Sequence, residues 1–257
     1  MRIVLFILIA IMGISLFVGM TQSVGAEDAE TVRKSYFSTE EFTEKGFWES
    51  LRDRKSEIFQ KIREHIRLTV LAMALAIGIG VTAGIILTRF QRAACVVLAA
   101  ASIIQTIPSL ALLALMLPYL GTGLKPSVAA LFLYALLPIL RNTYIAIDEV
   151  DDTMIEVGRG MGMTSGQILL KVEIPLCVPV VMAGVRTSTV ICVGIATLCS
   201  LIGAGGLGDL IIEGLQKKGN TVIFIGVVPA ILLALALDGI MAMLQKAFTP
   251  KGLKLAE

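Results

Sequence analysis

Five long apolar runs punctuate the chain, at about residues 66–88, 93–117, 126–146, 179–202 and 221–247. Each is close to the roughly 20 residues of helix needed to cross about 30 Å of hydrocarbon, so the pattern predicts five membrane-spanning helices. A sixth run, residues 3–19, follows Arg2 and ends ahead of "SVGAEDAE", where Val24 and Ala26 resemble a signal-peptidase site. A retained first helix and a removed leader both fit; the length of the run favours the helix. Between this run and the body, Phe47, Leu51, Ile58, Ile62 and Ile66 recur at offsets of 4, 7, 4 and 4, which places them on one face of a helix. Trp48 sits beside that face, and Arg52, Asp53, Lys55 and Glu64 lie opposite. An amphipathic helix resting on the outer leaflet is expected, although a solvated linker helix would show the same pattern.

Composition sharpens this division. Hydrophobic residues make up 56% of the 257 positions, against roughly 45–50% in soluble domains, which excludes an ordinary cytosolic globule. Of 42 charged residues, 18 fall within 27–64 and only 23 lie beyond His65. The net charge of +2 and the lack of any long basic run exclude the electrostatic footprint of a nucleic-acid binder. The expected partners are membrane lipid and protein. Cys95, Cys177, Cys192 and Cys199 stand in apolar stretches without C-x-x-C spacing, and His65 is the single histidine. Buried thiols are expected there, with no metal site and no disulfide framework.

Basic residues set the orientation. With the first body span running inward, Arg89, Arg92, Arg141, Arg159, Lys171, Arg186, Lys246, Lys251 and Lys254 fall on the cytoplasmic side, and Lys125, Lys217 and Lys218 outside. Nine against three favours this assignment, despite eight basic residues beside ten acids in the segment 27–64, which it leaves outside.

One long loop, 147–178, then lies in the cytoplasm: "DEVDDTMIEVGRGMGMTSGQILLKVEIPLCVP" bounds its informative part. Thr153 and Glu156 match a capping box, with Asp151 and Asp152 suited to the positive end of a helix. Gly162 is suited to the left-handed residue that closes a helix. Thr164 and Gln167 repeat the capping pattern, while Pro175 and Pro179 are expected to break the chain before the next span. The prediction is a helix-turn-helix at the cytoplasmic face.

Glu156, Gly162 and Pro175 stand at the first, seventh and twentieth positions of a pattern that resembles the E-A-A signature of ABC-importer permeases, E-A-A-x3-G-x9-I-x-L-P. Val157 and Gly158 replace its alanines, and Val172 and Ile174 its Ile and Leu. With "SLIGAGGLGDLI" further on, the chain from about residue 64 to 250 is similar to permease subunits for glycine betaine, carnitine and choline. The resemblance implies an all-α membrane protein: a type I ABC-importer permease bundle of five core transmembrane helices plus an N-terminal hydrophobic helix. It implies a multi-pass protein of the plasma membrane that forms a translocation pathway by alternating access and is not itself an enzyme. The implied partners are a cytosolic ABC ATPase that uses ATP and Mg, an extracytoplasmic solute-binding protein, and a second permease copy in a homodimer. No cofactor bound by this chain, and no metal, is implied. The ATPase-coupling residues would be Glu156, Arg159, Gly162, Met163, Thr164 and Pro175. The domain plan becomes 1–26 leader or anchor, 27–65 extracytoplasmic charged segment, 66–250 permease domain and 251–257 cytoplasmic tail.

Other motifs carry less. "GAGGLG" at 203–208 matches a dinucleotide fingerprint without the strand it requires; Gly203, Gly205 and Gly206 are expected to form a tight outer turn at the mouth of the pathway. Gly214–Gly219 approaches a phosphate loop but continues Asn220-Thr221. Gly80 and Gly84 form the G-x-x-x-G of close helix packing. Gln105, Thr106 and Ser109 flank Pro108, so a kinked helix lining the pathway competes with simple helix–helix hydrogen bonding. Asp238 is expected to pair with a basic residue near the cytoplasmic end, Lys246 standing about two turns on. Two other functions stay open: a permease of the same fold for an amino acid such as methionine, and an autonomous ion-coupled carrier using Asp238.

Overall fold

A computed structural model describes residues 44–217 and 220–249, which apart from Glu44 belong to one compact unit. The N-terminal run 1–26, the segment up to residue 43, Lys218, Gly219 and the tail 251–257 lie outside the described residues. All regular structure among the described residues is helical: α1 (Glu44–Asp53), α2 (Lys55–Leu87), α3 (Gln91–Thr106), α4 (Ser109–Leu120), α5 (Leu124–Asp148), α6 (Asp152–Gly160), α7 (Ser165–Ile168), α8 (Ile174–Ala196), α9 (Gly208–Gln216) and α10 (Asn220–Phe248). Four helical stretches are long and apolar enough to cross a membrane: α2, α5, the continuous stretch Ser165–Ala196, and α10. The pair α3–α4 makes a fifth if its two arms count as one span.

Helices α2, α5 and α8 form the centre. Leu68, Ala72 and Ala76 pack with Leu131, Ala135 and Ile139 and with Val185, Cys192 and Ala196 in one buried cluster. In lipid there is little hydrophobic drive between helices, so close approach through small residues matters more than in water. A side chain at Gly84 would stand 2.7 Å from Thr143 Cβ, and one at Gly80 3.0 Å from Ile139 Cγ2, so the G-x-x-x-G pair is packing, as expected. Gly184 serves α8 in the same way, its face lying against the Pro138 carbonyl. Outward, α10 presents Leu232, Leu235 and Met243, all exposed.

The second span departs from the expected kink. The chain breaks completely at Ile107–Pro108, and α3 and α4 meet at 102°. Ile107 and Pro108 are both extended, and proline contributes no N–H to leave unpaired. Helix α5 secures the freed groups: Tyr134 donates its hydroxyl to the Ile107 carbonyl, and Gln105 Nε2 donates to the Tyr134 carbonyl at 3.0 Å. A non-helical backbone at membrane depth is tolerated where protein covers it in this way.

The amphipathic segment is also placed differently. Its apolar face exists, but Phe47, Leu51, Ile58 and Ile62 pack on Leu207, Leu210 and Ile225 of this chain rather than on lipid. From Lys55 onward it is continuous with the first span. Arg54 bonds Glu213 at 2.5 Å, Lys61 bonds Asp209 at 2.5 Å, and Glu64 accepts the Gly206 N–H at 3.0 Å. These polar contacts fasten the N-terminal part of α2 to α9 and the turn before it. Trp48 remains exposed. Three cysteines are buried as expected; Cys95 on α3 is exposed instead.

Candidate functional site

The loop 147–178 is built from caps. Asp151, extended at φ −56° and ψ 122°, accepts the Thr153 N–H at 2.8 Å and starts α6. This corrects the expected Thr153–Glu156 box: the aspartate two residues earlier takes the cap, and Glu156 is exposed with no hydrogen bond or ion pair among the described residues. The bond from Thr153 holds the Asp151 carboxyl below its ordinary value. At the other end of α6, Gly162 N–H donates to the Arg159 carbonyl at 2.9 Å and Met163 N–H to the Gly158 carbonyl at 3.1 Å. That is the Schellman closure, and it requires the left-handed φ of +77° found at Gly162. Thr164 then heads a complete capping box with Gln167, its backbone N–H donating to Gln167 Oε1 at 2.9 Å.

Beyond α7 the expected break does not occur. Residues Leu169–Glu173 form a π-helical turn that runs directly into α8, so Pro175 sits in the first turn of α8 and Pro179 is carried inside it. The wider turn accommodates a proline that would otherwise clash with the preceding turn. The second loop helix is therefore the tip of a membrane span. At its base Glu173, which is buried, lies 3.4 Å from Arg89 between α2 and α3. Arg159 and Met161 are exposed on the loop, and Met163 is half-buried.

At the opposite end of the bundle Gly203, Gly205 and Gly206 all have positive φ, a tight turn with no strand about it. The Gly123 N–H donates to the Ile202 carbonyl at 2.8 Å, which ties the α4–α5 connection to the same end. His65 is fully buried beneath this turn, and its Nε2 donates to the Val193 carbonyl of α8 at 3.1 Å. Among the described residues no cluster of side chains suits a metal ion.

Of the candidate pathway residues, Gln105 and Ser109 are half-buried, and Thr106 is exposed with its hydroxyl bonded to the Ile103 carbonyl. These residues gather at the α3–α4 break, whereas Gly203, Gly205 and Gly206 form the separate glycine turn. An apolar cavity of about 300 Å³ between α2, α5, α8 and α10 is lined by Val81, Ile147, Cys177 and Val181; its one hydroxyl, Thr143, is bonded to its own helix. Nothing there would hold a polar solute. Asp238 is not paired with Lys246: Arg186 of α8 bonds it through Nε and Nη2 at 2.5 and 2.6 Å. Arg186 thus leaves the cytoplasmic charge tally and stands inside a span. A lone basic residue in one apolar run and a lone acidic one deep in another were the available signal, since unpaired charge in lipid is costly.

Four to five spans, a capped loop at one end and a broken second span make up a bundle with the fold of ABC-importer permeases. The chain belongs to the family of binding-protein-dependent transport system inner membrane components, whose model matches residues 76–251. It is 44% identical over 204 residues to the glycine betaine/carnitine/choline transport system permease protein OpuCB of Bacillus subtilis (strain 168), covering 79% of this chain and 94% of that one. It is 46% identical to the carnitine transport permease protein OpuCB of Listeria monocytogenes, covering 74% and 88%. Among solved structures, an inward-facing form of the MetNI methionine ABC transporter matches with a TM-score of 0.69 at 24% identity, covering 77% of this chain and 99% of that one; at that identity the likeness concerns the fold.

Proposed function

We propose that the chain is the membrane-embedded, non-catalytic permease subunit of an ATP-driven importer for quaternary-ammonium osmoprotectants such as glycine betaine, carnitine or choline. The observation that carries this is identity above 40% along nearly the whole length of permeases named for those solutes. The methionine alternative has only the fold in its favour. Two copies of the chain, surrounded by lipid, would enclose the pathway, each docking a cytosolic ATPase on the loop residues Glu156, Arg159, Gly162, Met163 and Thr164, with Pro175 at the root. ATP and Mg would be used by that ATPase, and this chain would bind no cofactor. A solute-binding protein would dock at the glycine-turn end and set much of the specificity.

The rigid caps support the docking assignment: a short helix held at both ends can transmit a displacement without unfolding. Reconstitution with the cognate ATPase and binding protein tests the reading. ATP-dependent uptake of glycine betaine or choline, and none of methionine, is expected; uptake of methionine alone would overturn it.

A further inference from the structure

The Arg186–Asp238 pair stands where charge is least welcome. Arg186 lies in the middle of α8, roughly 15–18 Å of helix rise from either end at about 1.5 Å per residue. Yet the pair is not sealed inside the bundle: the arginine side chain is 42% and the aspartate 28% accessible. Facing hydrocarbon, so open a pair would be costly, which favours a water-filled path beside it. The neighbouring open face of α8 agrees, since Ala183, Thr187, Val190 and Gly194 are exposed there with valine the bulkiest, whereas α10 turns leucines and methionine outward.

We propose that Arg186 and Asp238 form a mid-membrane subsite for a zwitterionic solute, its carboxylate taken by Arg186 and its quaternary ammonium by Asp238. This rests on the osmoprotectant reading above. Arg186 meets Asp238 side-on through Nε and Nη2, which leaves Nη1 without a partner among the described residues and free to take a second carboxylate. A quaternary ammonium has no N–H to donate, so what it needs from a site is negative charge without a demand for hydrogen bonds; the Asp238 carboxylate supplies it. A zwitterion laid head-to-tail along the pair adds no net charge to a low-dielectric site. A solute with the ammonium but no carboxylate satisfies only the Asp238 half. The subsite therefore discriminates glycine betaine from choline, independently of the binding protein.

The test uses the complete transporter in vesicles, with its ATPase and its binding protein, and the double variant Arg186→Gln/Asp238→Asn, which keeps the hydrogen-bonded shape and removes both charges. Glycine betaine uptake should fall by about tenfold or more, and choline uptake distinctly less. Wild-type rates for both solutes would overturn the subsite, and so would equal losses for both. A second measurement does not need that variant to fold: Thr187→Cys, in a background without the four native cysteines, should react with a charged water-soluble thiol reagent, more slowly in saturating glycine betaine. A cysteine there that stays unreactive throughout the ATP cycle, or whose reaction ignores glycine betaine, would overturn the proposal. Wild-type transporter that imports neither solute would instead overturn the osmoprotectant reading, and the subsite with it.

Discussion

Replacing Gly162 separates backbone strain from every other effect, because the space about it is empty. A β-carbon built at this residue meets nothing within 4 Å, so a new side chain adds no clash. What remains is φ at +77°, a region that costs an L-residue roughly 1–2 kcal/mol and a β-branched one more, while asparagine adopts it more readily. At about 1.4 kcal/mol per factor of ten, alanine should depopulate the closed turn by about 5- to 30-fold and valine further. The two Schellman bonds, Gly162 to Arg159 and Met163 to Gly158, are lost when the turn opens. In reconstituted vesicles at equal permease abundance, solute-stimulated ATPase activity should therefore fall in the order Gly, Asn, Ala, Val. Full activity in Gly162→Val would refute the loop as the coupling element. Asparagine as damaging as valine would refute the φ argument and point to a steric contact with the partner. Asp151→Ala supplies the comparison, since it removes the cap that starts α6 at a cost of about 1 kcal/mol. Glu156→Ala removes no side-chain bond among the described residues, so a loss of coupling there points to the ATPase surface.

Three further outcomes follow from the packing and the charges. Gly84→Ala should lower thermal stability in detergent by about 1–3 kcal/mol, because its methyl meets Thr143 at 2.7 Å and the Leu140 carbonyl at 3.2 Å, whereas Gly78→Ala, with nothing within 4 Å, should be neutral or slightly stabilising. Hydrogen bonds from Lys217 and then Arg54 hold the Glu213 carboxyl below its ordinary value of 4.5; a depressed carboxylate stabilises above its unfolded value and loses that contribution as pH falls through the folded one. Hydrogen exchange in α9 should accordingly rise as pH drops into the range below 4.5, and Glu213→Gln should abolish the acid-dependent step. Single cysteines at Thr164 and Gly123, at opposite ends of the bundle, should label from opposite sides of the membrane, Thr164 from the cytoplasm; labelling of both from outside would refute the orientation.

What could be read from the chain alone follows from how local each feature is. The spans were legible because bilayer thickness fixes a length and composition that no soluble helix shares, and the caps at Thr164 and Gly162 because their partners lie within five residues. The start of α6 was misplaced by two residues because Asp151 and Thr153 both satisfy a capping pattern, and only the extended backbone at Asp151 decides between them. The α1–α2 face was read as lipid-facing because one apolar stripe fits a membrane surface or another helix equally well. Its true cover, Leu207, Leu210 and Ile225, is far along the chain. The same distance hid the partner of Asp238, 52 residues from Arg186. The complete break before Pro108 was hidden for another reason: a proline in an apolar run is compatible with a kink, and only the contacts from Tyr134 and Gln105 make the full break affordable.

The continuity of α7, the π-turn and α8 bears on how the two ends of the molecule could communicate. Ser165 to Ala196 is one continuous helical stretch, and 32 residues at about 1.5 Å each make a rod of about 48 Å. At its tip stands the Thr164–Gln167 capping box, and about two turns further on Glu173 contacts Arg89. Its middle carries Arg186 against Asp238, and its far end offers the Val193 carbonyl to His65 beneath the glycine turn. A displacement imposed at the tip must therefore tilt or slide the whole rod, shifting the Arg186–Asp238 pair and the His65 contact together. The partners on α2 and α10 hold the rod by the His65 and Asp238 bonds as well as by the buried cluster that includes Val185, Cys192 and Ala196. Alternating access would require a second set of such contacts, so that one element with two arrangements could be biased from both ends.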